Sequence, residues 1–173
     1  MILGLVNNAA LLITLAFLYD AFARAEILRP SGPKRVAVSL ALGAIAMAVM
    51  LSPWELRPGL FFDTRSILLG VAGLFFGPVP TILATGMVAT MRLVQGGVGL
   101  TMGVGVIFVS SAIGLAWGHC RGRDLSRLSF GELYLFGIVL HLAMLACVFL
   151  LPRELARDTL TRIAVPVLLV YPM

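Results

Sequence analysis

The sequence predicts an all-α, polytopic membrane helix bundle, and three observations support this fold class. Of the 173 residues, 60% are hydrophobic and only 12% are charged, and the mean hydropathy is +1.04. A soluble domain carries about 25% charged residues. The apolar runs have about the 20 residues that a helix needs to cross a bilayer. They show no sustained alternation of polar and apolar residues, which favours helices as the spanning elements.

The apolar runs predict about six complete spans followed by a truncated one. The complete spans cover residues 2–23, 36–52, 60–77, 79–95, 100–118 and 132–151. A seventh run begins near Thr161 and is still apolar at Met173. We therefore expect residues 1–173 to form a single transmembrane domain, the N-terminal fragment of a longer protein. Spans 60–77 and 79–95 are short and meet at Gly77, so a re-entrant hairpin is the alternative to two full crossings.

The distribution of charge predicts the orientation in the membrane. Cytoplasmic loops carry an excess of lysine and arginine. The loops after the first and fifth predicted spans hold seven such residues: Arg24, Arg29, Lys34, Arg35, Arg121, Arg123 and Arg127. This bias predicts an outer N-terminus and a cytoplasmic C-terminus. The net charge of +5 is spread along the chain without a long basic run, so no nucleic-acid partner is expected.

Two arginines beside apolar runs indicate a functional site. Ionisable groups at membrane depth are costly and mark functional sites by default. In the predicted topology Arg65 and Arg92 lie on the same, outer side of the bilayer. Guanidinium groups bind carboxylates and phosphates through two parallel hydrogen bonds, which lysine cannot do. The sequence therefore predicts an outward-facing pocket for a small anion.

The segment before Arg65 suggests how this pocket is built. Asp63 or Thr64 is suited to cap a helix that starts near Arg65. From there to Phe76 the helix is roughly 18 Å long, shorter than the ~30 Å apolar core. Either residues 60–62 extend the helix outward, or its N-terminus lies within the outer leaflet. The second arrangement places free N–H groups beside Arg65.

Other polar and glycine positions complete the predicted pocket. Gln95, Gly96 and Gly97 follow Arg92, and the glycines allow a sharp turn that presents backbone N–H groups to an anion. Asn8 lies near the outer end of the first span and can line the same pocket. The alternative is structural, because arginines near helix ends also extend to the membrane interface without binding a ligand.

Five segments together resemble the LytS-YhcK-type five-transmembrane receptor domain. Its opening is similar to residues 8–20, NAALLITLAFLYD. Its central motifs are similar to residues 58–66, 73–78 and 92–97, which read PGLFFDTRS, GLFFGP and RLVQGG. Its last segment is similar to residues 166–172, PVLLVYP.

The resemblance implies a sensor of the bacterial inner membrane that controls a cytoplasmic histidine kinase or diguanylate cyclase. Some relatives of the kinase type sense small carboxylates such as pyruvate. The matching positions here are Arg65 and Arg92, with Asp63, Gln95 and the two glycines around them. The carboxylate sensors also use small polar or thiol residues in the following helix. Residues 102–107, MGVGVI, lack them, which leaves the identity of the ligand open. A homodimer formed through the full-length protein is expected.

Two other functions stay open at this stage. A bundle of this size with an outward pocket is also typical of the substrate-binding subunit of a transporter, and a third possibility is a structural anchor without a ligand. No nucleophile motif, phosphate-binding loop or paired-carboxylate signature is present, so no enzyme activity or cofactor is expected of this chain. No metal site is expected, since His141 has no second ligand at a suitable spacing.

Overall fold

The chain forms a bundle of helices that run in alternating directions. The computed structural model of the protein describes residues 33–51, 54–57, 60–122 and 128–170; the predicted span 2–23, with Asn8, lies outside them. The described residues form six α-helices: α1 (Pro33–Met50), α2 (Arg65–Phe76), α3 (Pro78–Gln95), α4 (Leu100–Cys120), α5 (Phe130–Cys147) and α6 (Arg153–Val170). A 3₁₀ turn, Val148–Leu150, extends α5.

The predicted helical membrane bundle is confirmed in this part of the chain, while the number of full crossings stays a prediction. Two of the described helices, Leu100–Cys120 and Phe130–Leu150, are long and apolar enough to cross a membrane. The helices Arg35–Met50 and Arg65–Phe76 are apolar but shorter. Many large apolar side chains point outward, including Val94 and Phe130, each 83% exposed. Such a surface suits contact with lipid.

A short β-hairpin precedes α2 and corrects the predicted span 60–77. Strand β1 (Trp54–Arg57) pairs antiparallel with β2 (Leu60–Phe62), and Trp54 lies opposite Phe62. The expectation that residues 60–62 extend the helix is therefore wrong. Aromatic residues favour strands, and the intervening pair Pro58-Gly59 is a common turn sequence. The helix itself begins at Arg65, so that α2 has only 12 residues.

Close packing between α2 and α4 depends on glycine. A Cβ atom at Gly73 would lie 2.6 Å from the backbone nitrogen of Leu115 and 2.8 Å from the carbonyl carbon of Gly114. A Cβ at Gly114 would overlap the carbonyl oxygen of Gly70. The two backbones are therefore in direct contact. These glycines occupy the small-residue spacings that allow helices to approach closely.

Helix α6 begins earlier than the sequence predicted. The seventh span was expected near Thr161, but the helix starts at Arg153. Its first turns are amphipathic: Ala156, Thr159 and Ile163 are buried at helical spacing, whereas Arg153 and Arg157 are exposed. Ala156 and Ile163 belong to an apolar cluster that also contains residues of β2, α4 and α5.

The alternation of the helices brings six helix ends together. The C-termini of α1, α3 and α5 lie at the same end as the N-termini of α2 and α4, as two long-range hydrogen bonds show. Gln95 Nε2 donates to the carbonyl of Met50 at 3.2 Å, and Thr101 Oγ1 donates to the carbonyl of Leu150 at 3.3 Å. The hairpin and the start of α6 contribute to this end through Leu60 and Ala156.

At the opposite end of α4 and α5, the carboxylate of Glu132 joins the two helices. Glu132 accepts hydrogen bonds from Trp117 Nε1 at 3.1 Å and from Arg121 Nε at 2.6 Å, and its second oxygen pairs with Arg121 Nη2. Ser129 caps α5 by accepting from the Glu132 N–H at 3.2 Å. We call this group the α4–α5 clasp.

Candidate functional site

Asp63 fixes both the start of α2 and the side chain of Arg65. Its Oδ1 accepts the Arg65 N–H at 3.0 Å, and its Oδ2 lies 3.2 Å from Arg65 Nη1. Both side chains are buried, with 1% of Asp63 and 5% of Arg65 exposed. The predicted helix start at Arg65 is confirmed. The N-cap residue is Thr64, whose side chain makes no capping hydrogen bond, and Asp63 accepts the N–H of the first helical residue instead. The same carboxylate holds an arginine inside the bundle.

Arg92 lies beside Arg65 and is also buried, with 1% of the residue exposed. Its Nη1 donates to the carbonyl of Gly96 at 2.7 Å. A Cβ at Gly103 would overlap Arg92 Nε and would lie 3.2 Å from Arg65 Nη2. The two guanidinium groups therefore flank Gly103, the position in the first turn of α4 where a side chain is missing. The predicted juxtaposition of the two arginines is present in the structure.

A small cavity of about 20 Å³ lies next to these groups. We call it the arginine cavity. Its lining residues are Asp63, Arg65, Gly99, Met102, Gly103, Val106 and Met144. Arg92 lies against Gly103, one of these lining residues. The volume corresponds to about one or two water molecules, since each needs about 10–15 Å³.

The electrostatics of the cavity are dominated by the two arginines and Asp63. Burial raises the pKa of the Asp63 carboxyl, and the charges of Arg65 and Arg92 act in the opposite direction. The ion pair and the N–H hydrogen bond of Asp63 are contacts that an ionised carboxylate makes. With Asp63 ionised, the three groups carry a net charge of +1.

The other residues predicted for the pocket have different positions. Gln95 donates a hydrogen bond to the carbonyl of Met50 and thereby joins α3 to α1. Gly96 accepts the hydrogen bond from Arg92 and thus orients its guanidinium group, while Gly97 is exposed. Both glycines have positive φ, 63° and 89°, which a side chain would disfavour. They build the turn that positions Arg92.

Sequence reasoning missed the apolar wall of the cavity. Met102 and Val106 face the cavity from α4, and Met144 faces it from α5. The spacing of Gly99 and Gly103 was a signal for close packing along α4. Met144 gave no signal, because an apolar residue in an apolar helix is not distinctive.

Taken together, the apolar outer surface, the helical bundle and the buried charged groups define a polytopic membrane domain with a small internal cavity beside two buried arginines. A family model described as 5TMR of 5TMR-LYT matches residues 4–173. The chain therefore belongs to this family of five-transmembrane, LytS-type receptor domains. Comparison with curated proteins and with solved structures gave no match.

Family membership supports a role as a membrane sensory module. The match covers almost the whole chain, and together with the apolar helices it indicates a multi-pass membrane protein. Receptor domains of this family are not catalytic by themselves.

Proposed function

We propose that this domain senses a small anion from outside the cell and transmits its binding to a cytoplasmic diguanylate cyclase or histidine kinase. The observation that carries the proposal is the pair of buried arginines flanking Gly103 at a small cavity. Asp63, Arg65 and Arg92 are the ligand-site residues, with Gln95, Gly96, Gly97 and Asn8 as the supporting set. In the proposed topology this end of the bundle faces outward in the bacterial inner membrane.

The burial of the arginines supports ligand binding over a purely interfacial role. An arginine that extends to the membrane interface keeps its head group in water. Arg65 and Arg92 are instead 4% and 1% exposed. Burying a charge is costly unless it is paired. Here Asp63 pairs with Arg65, and Arg92 Nη1 donates to the carbonyl of Gly96. A bound anion beside Arg65 would add a further charge-assisted contact.

A signalling route follows from the apolar wall of the cavity. Met102, Val106 and Met144 pack in the same cluster as Ala156 and Ile163 of α6. A ligand that displaces the methionines would therefore change the packing of the last helix. This helix precedes the C-terminal segment, through which an output domain would be connected. A ligand shifts the equilibrium between two states only by its difference in affinity for them.

The first experiment is a thermal-stability screen of the full-length protein in detergent. Small carboxylates, phosphate, sulfate and chloride would be added one at a time. A ligand at 100 times its dissociation constant stabilises the folded state by about 2.7 kcal/mol. We expect at least one anion to raise the midpoint of unfolding, and the output activity to change with the same concentration dependence.

Arginine variants then test the site itself. Arg65→Gln leaves Asp63 buried without its partner and is expected to destabilise the fold by about 3–5 kcal/mol. The double variant Asp63→Asn with Arg65→Gln removes both charges and is the better test of binding. Arg121→Gln, at the clasp, is the matched control for loss of an arginine. Anion binding should be lost in the double variant and retained in the control.

Two outcomes would refute the proposal. If no anion binds and the double variant keeps normal output, the arginines are structural and the domain acts as an anchor. If an anion binds but the reading frame encodes no output domain, the site belongs to a transporter subunit instead.

A further inference from the structure

Two buried polar atoms at the arginine cavity have no well-aligned hydrogen bond among the described residues. Asp63 Oδ2 and Arg65 Nη1 lie 3.2 Å apart as an ion pair, but neither atom makes a hydrogen bond within this part of the chain. Both side chains line the cavity. Because leaving a buried charged group without a hydrogen bond is strongly unfavourable, the cavity is the place where a further partner would lie.

The size of the cavity limits what this partner can be. Its volume of about 20 Å³ is sufficient for one or two water molecules, since each needs about 10–15 Å³. The apolar part of the wall is formed by Met102, Val106 and Met144, which offer no strong donor or acceptor. The partner is therefore very small, and its hydrogen bonds are made to the ion pair itself.

The chemistry of the two atoms limits the partner further. Arg65 Nη1 can only donate a hydrogen bond, and an ionised Asp63 carboxylate can only accept one. A halide ion would satisfy only the guanidinium group, and an ammonium ion would satisfy only the carboxylate. Water both donates and accepts, and the two atoms provide the two polar partners that an ordered buried water needs at least.

From the size and the chemistry of the site we infer that the arginine cavity holds a buried water molecule that accepts a hydrogen bond from Arg65 Nη1 and donates one to Asp63 Oδ2. The inference goes beyond the proposed function and does not depend on it. An anion that enters the cavity displaces this water. Displacing a well-ordered water lowers the affinity of a ligand that does not reproduce its hydrogen bonds.

Radiolytic labelling of the full-length protein in detergent tests this inference. A short X-ray pulse splits water molecules, including buried ones, and the hydroxyl radicals oxidise the nearest side chains. Methionine is readily oxidised to its sulfoxide, and Met102 and Met144 line the cavity. Met50 is the internal control, because it is also buried but packs in a different cluster. Without added anion, mass spectrometry should show Met102 and Met144 oxidised several-fold faster than Met50.

Two valine variants test whether the radicals arise inside the cavity. Val106→Ile extends the cavity wall by one methylene group and should lower the oxidation of Met102 and Met144 to the level of Met50. Val109→Ile makes the same change on the same helix at a side chain that is 37% exposed, and should leave the oxidation unaltered. Thermal unfolding of both variants verifies that they fold.

Two results would overturn the inference. Equally slow oxidation of Met50, Met102 and Met144 in the wild type would show that the cavity is dry. Fast oxidation of Met102 and Met144 that persists in Val106→Ile would show that the radicals come from outside the cavity. Since no anion is added, neither result decides the sensor proposal, which the thermal-stability screen tests separately.

Discussion

Gly103→Ala tests whether Arg92 contributes to the anion site. The new Cβ would overlap Arg92 Nε and lie 3.1 Å from its Cδ. The arginine side chain must therefore move. Its hydrogen bond from Nη1 to the carbonyl of Gly96, 2.7 Å long, depends on the present position.

The size of the effect follows from the hydrogen bond that a correctly placed Arg92 would make to the anion. A hydrogen bond made by a charged group contributes about 1.5–3 kcal/mol, so displacement of Arg92 should weaken anion binding by roughly 10- to 150-fold. Loss of the bond to Gly96 also lowers the stability of the fold, and the helix preference of alanine over glycine, about 0.8–1 kcal/mol, offsets part of that loss. Both affinity and thermal stability should therefore fall, and the loss of affinity should be the larger effect.

Gly105→Ala is the matched control for this experiment. It lies in the same helix, and its new Cβ would come within 2.7 Å of another flexible side chain, at Cδ1 of Leu150. It gains the same helix preference but displaces no arginine. Isothermal calorimetry with the anion that the thermal-stability screen identifies would compare both variants with the wild type. Equal affinities for Gly103→Ala and Gly105→Ala would refute the role assigned to Arg92.

Three further predictions concern packing, hydrogen bonding and pH. Gly73→Ala should destabilise the bundle by about 1–3 kcal/mol relative to Gly86→Ala, because a Cβ at Gly73 meets backbone while Gly86 has open space; equal midpoints of thermal unfolding would contradict this packing. Thr85→Val should cost about 1 kcal/mol, because Thr85 and Ser111 share a buried hydrogen bond of 2.7 Å; adding Ser111→Ala should restore part of the loss, and simple additivity of the two changes would argue against coupling. Since burial raises the pKa of Asp63, acidification removes the negative charge that competes with a ligand. The affinity for ethanesulfonate, whose own charge is constant, should rise as the pH is lowered toward the raised pKa of Asp63, and a flat or falling affinity would count against Asp63 in the site.

Local signals were sufficient to predict the charged half of the site. Asp63 lies two residues before Arg65, and its carboxylate accepts the Arg65 N–H where the helix begins. Arg92 is followed by two glycines, and α3 and α4 are joined there by a short turn. Because α2 and α3 run in opposite directions, the start of one and the end of the other lie together.

Features that depend on distant residues could not be predicted. Gln95 bonds to Met50, which is 45 residues away along the chain. Met144 reaches the cavity only through the packing of α5 on α4. The sequence predicts helix where strand β2 lies, because a short apolar run does not by itself distinguish a helix from a strand. The sequence does not predict that α6 starts at Arg153, because the first turns of this helix contain charged residues. These lie on the exposed face, and the buried face on the other side is recognised only from the three-dimensional packing.

The α4–α5 clasp limits how α5 could move when a ligand binds in the arginine cavity. Glu132 joins α5 to Trp117 and Arg121 at one end of the helix pair, while Met144 lies at the other. Twelve residues of helix separate Glu132 from Met144, roughly 18 Å at 1.5 Å per residue. With one end fixed, a ligand that pushes Met144 by about 1 Å tilts α5 by about 3°. Helix α5 would then rotate about its end at Glu132, on the far side of the bundle from the cavity. The chain that follows α5 would move together with the displaced end of the helix.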